Sequence, residues 1–237
     1  SLHACVKLIQ KATIMTVKAI FFGSIGTLVE TSDLQRRAFN QAFSEAGLDW
    51  NWSAEVYKHL LTKSGGRGRI QDFASQRGMD VDASQLHLRK TEIFDALMAQ
   101  ESLLLRPGIA SVIVHAKAHN WPLAFVTSTS KANVNAVFIA LGDQIKRSDF
   151  SFVGNDTMVA KAKPNPDIYQ KALSDLSLTP KDCIAIEDTV ASLNSALAAG
   201  IACIGFPGAF AEAQDFKGAV LVTDELSPNH LTALNVQ

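Results

Sequence analysis

The sequence predicts an α/β fold, a mostly parallel sheet covered by helices on both faces, with a small all-helical domain inserted after the first strand. Three observations carry this. An apolar, β-rich run from Val17 to Phe22 stops at Gly23-Ser24-Ile25-Gly26-Thr27, which reads as a buried strand ending in a tight loop. Helical periodicity then runs without a strand as far as Leu105-Arg106-Pro107-Gly108. From Pro107 onward, apolar strands and amphipathic helices alternate, and such a chain needs right-handed crossovers between parallel strands.

Residues 1–14 place Leu2, Val6 and Ile9 at helical spacing and are expected to be an N-terminal extension dispensable for folding. The core is expected to comprise 15–30 and 106–237, with the helical domain at 31–105. Within that domain Leu34, Ala38, Ala42, Phe43 and Ala46 mark one helical face ending near Gly47. Trp52, Val56 and Leu60 mark a second helix, Ile70 and Phe73 a third, and Leu86, Ile93 and Leu97 a fourth. The competing division, a single mixed domain that starts with helices, leaves the first strand with no neighbour to pair with. After the return, Pro107 suits a first helical turn, followed on one face by Ile109, Val112, Ile113 and Ala116. Strands are expected at 122–127, 150–153, 183–186, 201–206 and 219–222. Between them Val134, Phe138 and Leu141 mark one helix, Ile168, Ala172, Leu173 and Leu176 another, and Val190, Leu193 and Leu197 a third. Sheets of this kind bind ligands at the carboxyl ends of their strands.

At 237 residues the chain accommodates one well-packed domain and a smaller one, and 47% hydrophobic with 19% charged residues makes it globular. A net charge of −1 supplies no basic field for a polyanion, so no nucleic-acid partner is expected, while a small anion needs only a local site. The longest small-and-apolar stretch, Ala196 to Phe206, is broken by Gly200 and falls short of the roughly 20 residues that span a bilayer. No membrane partner is expected. Cys5, Cys183 and Cys203 are odd in number and suit reduced thiols acting as core residues, hence a cytoplasmic protein; a monomer is expected.

Polar groups stand at three further strand or loop ends. Thr127 and Ser128 sit in Thr127-Ser-Thr-Ser130, either an N-cap cluster or a hydroxyl site for a phosphate oxygen. Lys163 precedes Pro164-Asn165-Pro166-Asp167; Asn165 reads as a cap, Pro166 as a first helical turn, and the lysine either as solvated or as a neutraliser of phosphoryl charge. Glu187 and Asp188 follow the apolar Cys183–Ile186. Asp188 or Thr189 could cap the next helix, but two adjacent buried carboxylates repel unless a cation sits between them.

A Gly26-Thr27-Leu28 strand end, a helical block, a Thr127-bearing strand end, Lys163-Pro-Asn-Pro-Asp167 and Ile186-Glu-Asp-Thr189 follow one another in order. This order resembles the four motifs of the haloacid dehalogenase (HAD) superfamily, over residues 16 to 210. Leu61–Ile70, Lys90-Thr91 and Leu105–Gly108 are most similar to the β-phosphoglucomutase-like group, especially sugar-bisphosphate phosphatases of the CbbY type. The resemblance implies a Rossmann-like core with a helical cap. It also implies Mg²⁺ held by Glu187, Asp188 and the carbonyl of Ile25, and phosphate held by Gly26, Thr27, Thr127, Ser128 and Lys163. Lys63, Arg67, Arg69 and Lys90 of the cap would grip the rest of a phosphorylated sugar.

The resemblance breaks at the positions that do the chemistry. Gly23 stands where the family keeps its nucleophilic aspartate and Ile25 where it keeps its acid/base aspartate. Ser24, by strand alternation, is expected to point away from the face that positions 23 and 25 share. Gln35 replaces a histidine usual near the cap hinge, and Ser192 a glycine usual after the Glu-Asp pair. The reading is therefore a hydrolase scaffold that binds a small phosphorylated metabolite, a sugar phosphate, with aspartyl-phosphate chemistry lost or severely impaired. The alternatives are a Mg²⁺-dependent hydrolase acting by direct water attack and an interaction module with a vestigial pocket.

Overall fold

Ala19–Phe22 has no polar position, so neither face of this strand can meet water. In the computed structural model, which describes residues 16–63 and 65–234, it is β1, third of six strands in the order β3-β2-β1-β4-β5-β6. The others are β2 (Leu123–Phe125), β3 (Phe152–Val153), β4 (Cys183–Glu187), β5 (Ala202–Gly205) and β6 (Leu221–Val222). All neighbouring strands are parallel, with Ile20 level with Leu123 on one side and Ile184 on the other. The extension expected at 1–14, Cys5 included, lies outside the described residues.

Alternation along the strands makes two cores. Ile20, Phe22, Leu123, Phe125, Ile184, Ile186 and Ile204 face α6 (Ile109–Ala118), α7 (Lys131–Leu141) and α10 (Pro228–Leu234). Ala19, Phe21, Ala124, Cys183, Ala185 and Cys203 face α8 (Asp167–Leu176) and α9 (Val190–Ala198). Cys183 and Cys203 are free and buried, as expected of core thiols.

Beyond β1 a single helical turn, α1 (Ile25–Leu28), leads to a helical block of α2 (Ser32–Glu45), α3 (Ala54–Leu60), α4 (Gly66–Gln76) and α5 (Ala83–Gln100). An aromatic cluster of its own holds the block: the Trp52 ring lies 4.7 Å from Phe43 and 4.9 Å from Phe39. The far part of α5 packs instead on the sheet's core through Ile93, Phe94 and Met98. Outgoing and returning chains run side by side, since Val29 bridges Leu105 and Arg106 N donates to Leu28 O at 2.8 Å.

Several local expectations need correction. Trp52 precedes α3 and fills the cluster, whereas Val56 is exposed, so α3 does not bury the face expected of it. Gly108, not Pro107, caps α6, using a left-handed φ of 86° that glycine adopts without strain. Pro166 is the N-cap of α8, and Asn165 turns back to donate to Ala162 O. Ser130 caps α7 and Thr189 caps α9, which leaves Thr127 and Asp188 free of capping duty.

Candidate phosphate-binding cleft

β1 keeps its register for one residue past its end, with Gly23 N donating to Ile186 O at 3.0 Å. The chain then turns into α1, and Ser24 becomes its N-cap. Strand alternation has already lapsed there, so the expectation for Ser24 fails: its Oγ donates to Asp188 Oδ1 at 2.7 Å, on the wall of a cleft. Thr27 turns inward, its hydroxyl donating to Ser24 O at 2.6 Å, and it shapes the loop without reaching the cleft. A Cβ on Gly26 would overlap the Asp188 carboxylate, so glycine is required for this close approach.

The space beside Gly23 is filled from β4. A Cβ at position 23 would overlap the Glu187 carboxylate and stand 2.5 Å from Tyr169 Oη. Glu187 is fully buried; its Oε1 accepts from Lys163 Nζ at 2.7 Å and from Tyr169 Oη, and Lys163 also donates to Gly23 O. Lys163 thus supplies positive charge to one oxygen of one of the two adjacent carboxylates. Burial pushes the Glu187 carboxyl up, against the pull of Lys163. Burial also raises Asp188, opposed by the Ser24 hydrogen bond and by the charges of Lys163 and Arg106. Glu187 Oε2 has no hydrogen-bond partner among the described residues.

Arg106 was visible in the sequence only as part of the return phrase, yet it ties the strand ends together. Its guanidinium donates to Gly26 O at 2.8 Å, Phe206 O at 2.7 Å and Pro207 O at 2.7 Å, and stacks 3.5 Å from the Phe206 ring centroid. A lysine cannot reproduce this planar fork. Arg106→Lys is expected to destabilise the fold by about 2 kcal/mol, because buried carbonyls lose their donors; urea denaturation at unchanged slope would check it.

Above the strand ends and below the helical block lies a cleft of about 310 Å³. Ser24, Gly26, Thr127, Thr129, Asn133 and Asp188 line its floor, and Gln35, Arg69, His87 and Lys90 its roof. Lys90 is almost wholly buried, donates to Gln35 Oε1 and lies 4.6 Å from the Phe39 ring centroid. Burial first, and then the charge of Arg69, push its ammonium down to about 7, with Asp95 opposing. Burial and the neighbouring Lys90, Arg69 and Arg67 push His87 down to about 4, so it is neutral at pH 7. Arg69 is anchored by donating to Leu60 O at 3.2 Å and Lys63 O at 3.0 Å.

The structure thus brings Gly26, Thr127, Asp188, Arg69 and Lys90 to one cleft, with Ile25 on its edge and Lys163 and Glu187 directly beneath. Ser128 does not line it, because its neighbours Thr127 and Thr129 take the wall. Lys63 and Arg67 are not brought there either. Lys63 is exposed, with Asp72 at 3.8 Å, and Arg67 lies in a separate hollow beside Gln71 and Ser84. Both sit at the solvent edge of the block, where periodicity alone could not separate them from Arg69. Tyr169 and His87 were missed because a lone aromatic or histidine on a helical face reads as core.

The expected Mg²⁺ ligands lie at the strand ends in different surroundings. Asp188 and Ile25 line the cleft together with Glu30, while Glu187 lies beneath it with Oε1 engaged by an ammonium and a phenol and Oε2 without a hydrogen-bond partner among the described residues. Among the described residues no group of three or more His, Cys, Asp or Glu side chains is arranged to hold a metal ion.

The sequence model of haloacid dehalogenase-like hydrolases matches residues 17–200. The chain belongs to this family. Protein CbbY of Cereibacter sphaeroides is 41% identical over 214 residues, spanning 89% of this chain and 93% of that protein. Beta-phosphoglucomutase of Bacillus subtilis is 25% identical, spanning 92% of this chain and 94% of the enzyme. Among solved structures, CbbY from Rhodobacter sphaeroides in complex with phosphate superposes with a TM-score of 0.83 at 39% identity, covering 94% of this chain and all of that one. An aspartate-to-asparagine mutant of the same protein, in complex with xylulose-(1,5)bisphosphate, gives 0.80 at 41% identity, covering 89% and 95%. This HAD-like chain is therefore a relative of CbbY built on the same α/β fold. No helix among its described residues is long and apolar enough to cross a membrane.

Proposed function

We propose that the chain binds a small phosphorylated sugar in the cleft, with aspartyl-phosphate chemistry lost or severely impaired. One observation carries this: the place of a nucleophile side chain at position 23 is taken by Glu187, which points at Lys163 and not into the cleft. Loss of the nucleophile in a well-studied hydrolase lowers turnover on the order of 10⁶-fold, while binding groups survive. Here Arg69 and Lys90 supply positive charge on the roof, and Thr127 and Gly26 lie on the floor. We read 15–30 with 106–237 as the core and 31–105 as the cap, on the strength of the paired chains at Val29 and Leu105 and the separate aromatic cluster. A monomer in a reducing cytoplasm fits the free buried thiols.

Calorimetric titration with xylulose 1,5-bisphosphate tests the binding reading, and absence of heat would sink it. Lys90→Gln is expected to weaken affinity by about 2 kcal/mol, roughly thirtyfold, by removing a charge-assisted hydrogen bond. The pH dependence has a definite sign. Lys90 binds an anion as ammonium, so affinity is greatest below about 7 and falls as pH rises, until deprotonation of the bound form is complete. Phosphate, with its second pKa near 6, has nearly finished titrating there. Lys90→Gln should flatten the profile between about pH 7 and 9.

A second reading, residual hydrolysis, is favoured by the Ser24–Asp188 hydrogen bond of 2.7 Å on the cleft wall, a hydroxyl paired with a carboxylate. Phosphate release that disappears in both Ser24→Ala and Asp188→Ala would support it, and no release above the blank would reject it.

A further inference from the structure

We infer that Asn133 determines specificity in the cleft: its side-chain carbonyl, held on the floor without a donor, accepts a hydrogen bond from a hydroxyl in the sugar part of the ligand. This rests on the phosphorylated-sugar reading above and extends it from the phosphate to the carbon chain that carries it.

The first ground is an unmet acceptor. Asn133 is 8% exposed and lines the floor of the cleft. Its Nδ2 donates to Thr129 Oγ1 at 2.8 Å, while its Oδ1 is buried without a partner. Among the described residues it is the one cleft-lining side chain that carries such an atom. A buried oxygen left in this state costs about 1–3 kcal/mol, which a ligand donor recovers on binding.

The second ground is fixed direction. Asn133 stands in the first turn of α7, where its backbone N donates to Ser130 Oγ at 3.1 Å. The main chain and the amide nitrogen are thus both tied down before any ligand arrives. The carbonyl needs no ordering on binding, so little conformational entropy is lost there.

The third ground is the chemistry of the missing partner. An amide oxygen only accepts, and so do the oxygens of an ionised phosphate, which therefore cannot satisfy it. Phosphate has Arg69 and Lys90 on the roof instead. The donors nearer the floor are spent elsewhere, since Ser24 Oγ donates to Asp188 and Lys90 to Gln35. Glu30 also lines the cleft, but each of its oxygens already accepts from an amide, Ser32 N at 2.9 Å and Ala209 N at 2.8 Å. The donor must come from the ligand, and a hydroxyl is what the carbon chain of a sugar offers. A chain without hydroxyls leaves Oδ1 unpaired, and a site of this kind discriminates strongly against such a ligand.

The test compares Kd values of the whole chain for xylulose 1,5-bisphosphate and for pentane-1,5-diol bisphosphate, which keeps both phosphates and their spacing but has no hydroxyl. The parent is expected to prefer the sugar. In Asn133→Leu that preference should shrink about tenfold, with affinity for inorganic phosphate unchanged within about twofold. Asn133→Asp retains an acceptor and should retain the preference, because its added charge weakens both bisphosphates alike. Asn133→Ala cannot overpack the floor and replaces the leucine variant if urea denaturation shows the latter to be unfolded. A preference that survives in Asn133→Leu or Asn133→Ala, or a parent that binds both bisphosphates equally, overturns the inference and leaves the phosphate-binding reading intact. Failure of the parent to bind either bisphosphate overturns that reading, and this inference falls with it.

Discussion

Lys163→Met should lower stability by about 3–5 kcal/mol at neutral pH, the range found when one partner of a buried ion pair is removed. For a chain of this size that is about 10 °C in Tm. The substitution leaves Glu187 fully buried with only Tyr169 on Oε1 and nothing on Oε2 among the described residues. It also strips the donor from Gly23 O. The magnitude is large because the methionine fills the volume of the lysine stem without its charge, so packing loss is small and the uncompensated carboxylate dominates. Acid should relieve the defect. Glu187 already has its folded pKa raised by burial, and loss of Lys163 raises it further. A carboxyl raised on folding contributes its full stability below the unfolded pKa and loses it as pH rises through the folded one. The gap between variant and parent should therefore widen from pH 5 to pH 7 and narrow again toward acid, as measured by urea midpoints at several pH values. A gap that stays constant across that range would mean that the loss is one of packing.

The order of elements could be read from the sequence because each run has one dominant period. Apolar residues with no alternation in β1 and β4 leave no wet face, and the switch to helical spacing after Thr31 excludes a hairpin between β1 and the next strand, which pairs with it in parallel. Thr127, Lys163, Glu187 and Asp188 converge because parallel strands end on one edge, which alternation of strand and helix already implies. What could not be read was side-chain direction where regular structure stops. Ser24 follows no strand rule once the backbone becomes an N-cap, so a residue expected to face away lines the cleft. Arg69 and Arg67 are two apart on α4 and so point in different directions, and only the packing of Arg69 over Tyr57 shows which enters. The compensation of Glu187 by Lys163 spans 24 residues and depends on an empty volume at Gly23, a long-range fact with no periodic signature.

Gly23→Asp should be destabilising in the absence of metal, by about 3 kcal/mol, although its backbone position would accept any residue. Glycine-to-alanine alone forces the Glu187 carboxylate and the Tyr169 hydroxyl to move, an overpacking loss of about 1–3 kcal/mol. Aspartate adds a like charge beside a buried carboxylate, so one of the two must take up a proton or find a cation. Only one ammonium, that of Lys163, contacts Glu187 among the described residues, and it cannot neutralise two carboxylates. Two measurements separate these contributions. Glu187→Gln should be less damaging in the Gly23→Asp background than in the parent, because it removes the repulsion, with a coupling of about 1–2 kcal/mol in a double-mutant cycle. Millimolar Mg²⁺ should raise the Tm of Gly23→Asp more than that of the parent, since a ligand stabilises only the state that binds it. A Gly23→Asp variant as stable as the parent in EDTA would mean that Glu187 swings aside freely, and the overlap at position 23 would then place no constraint on the nucleophile position.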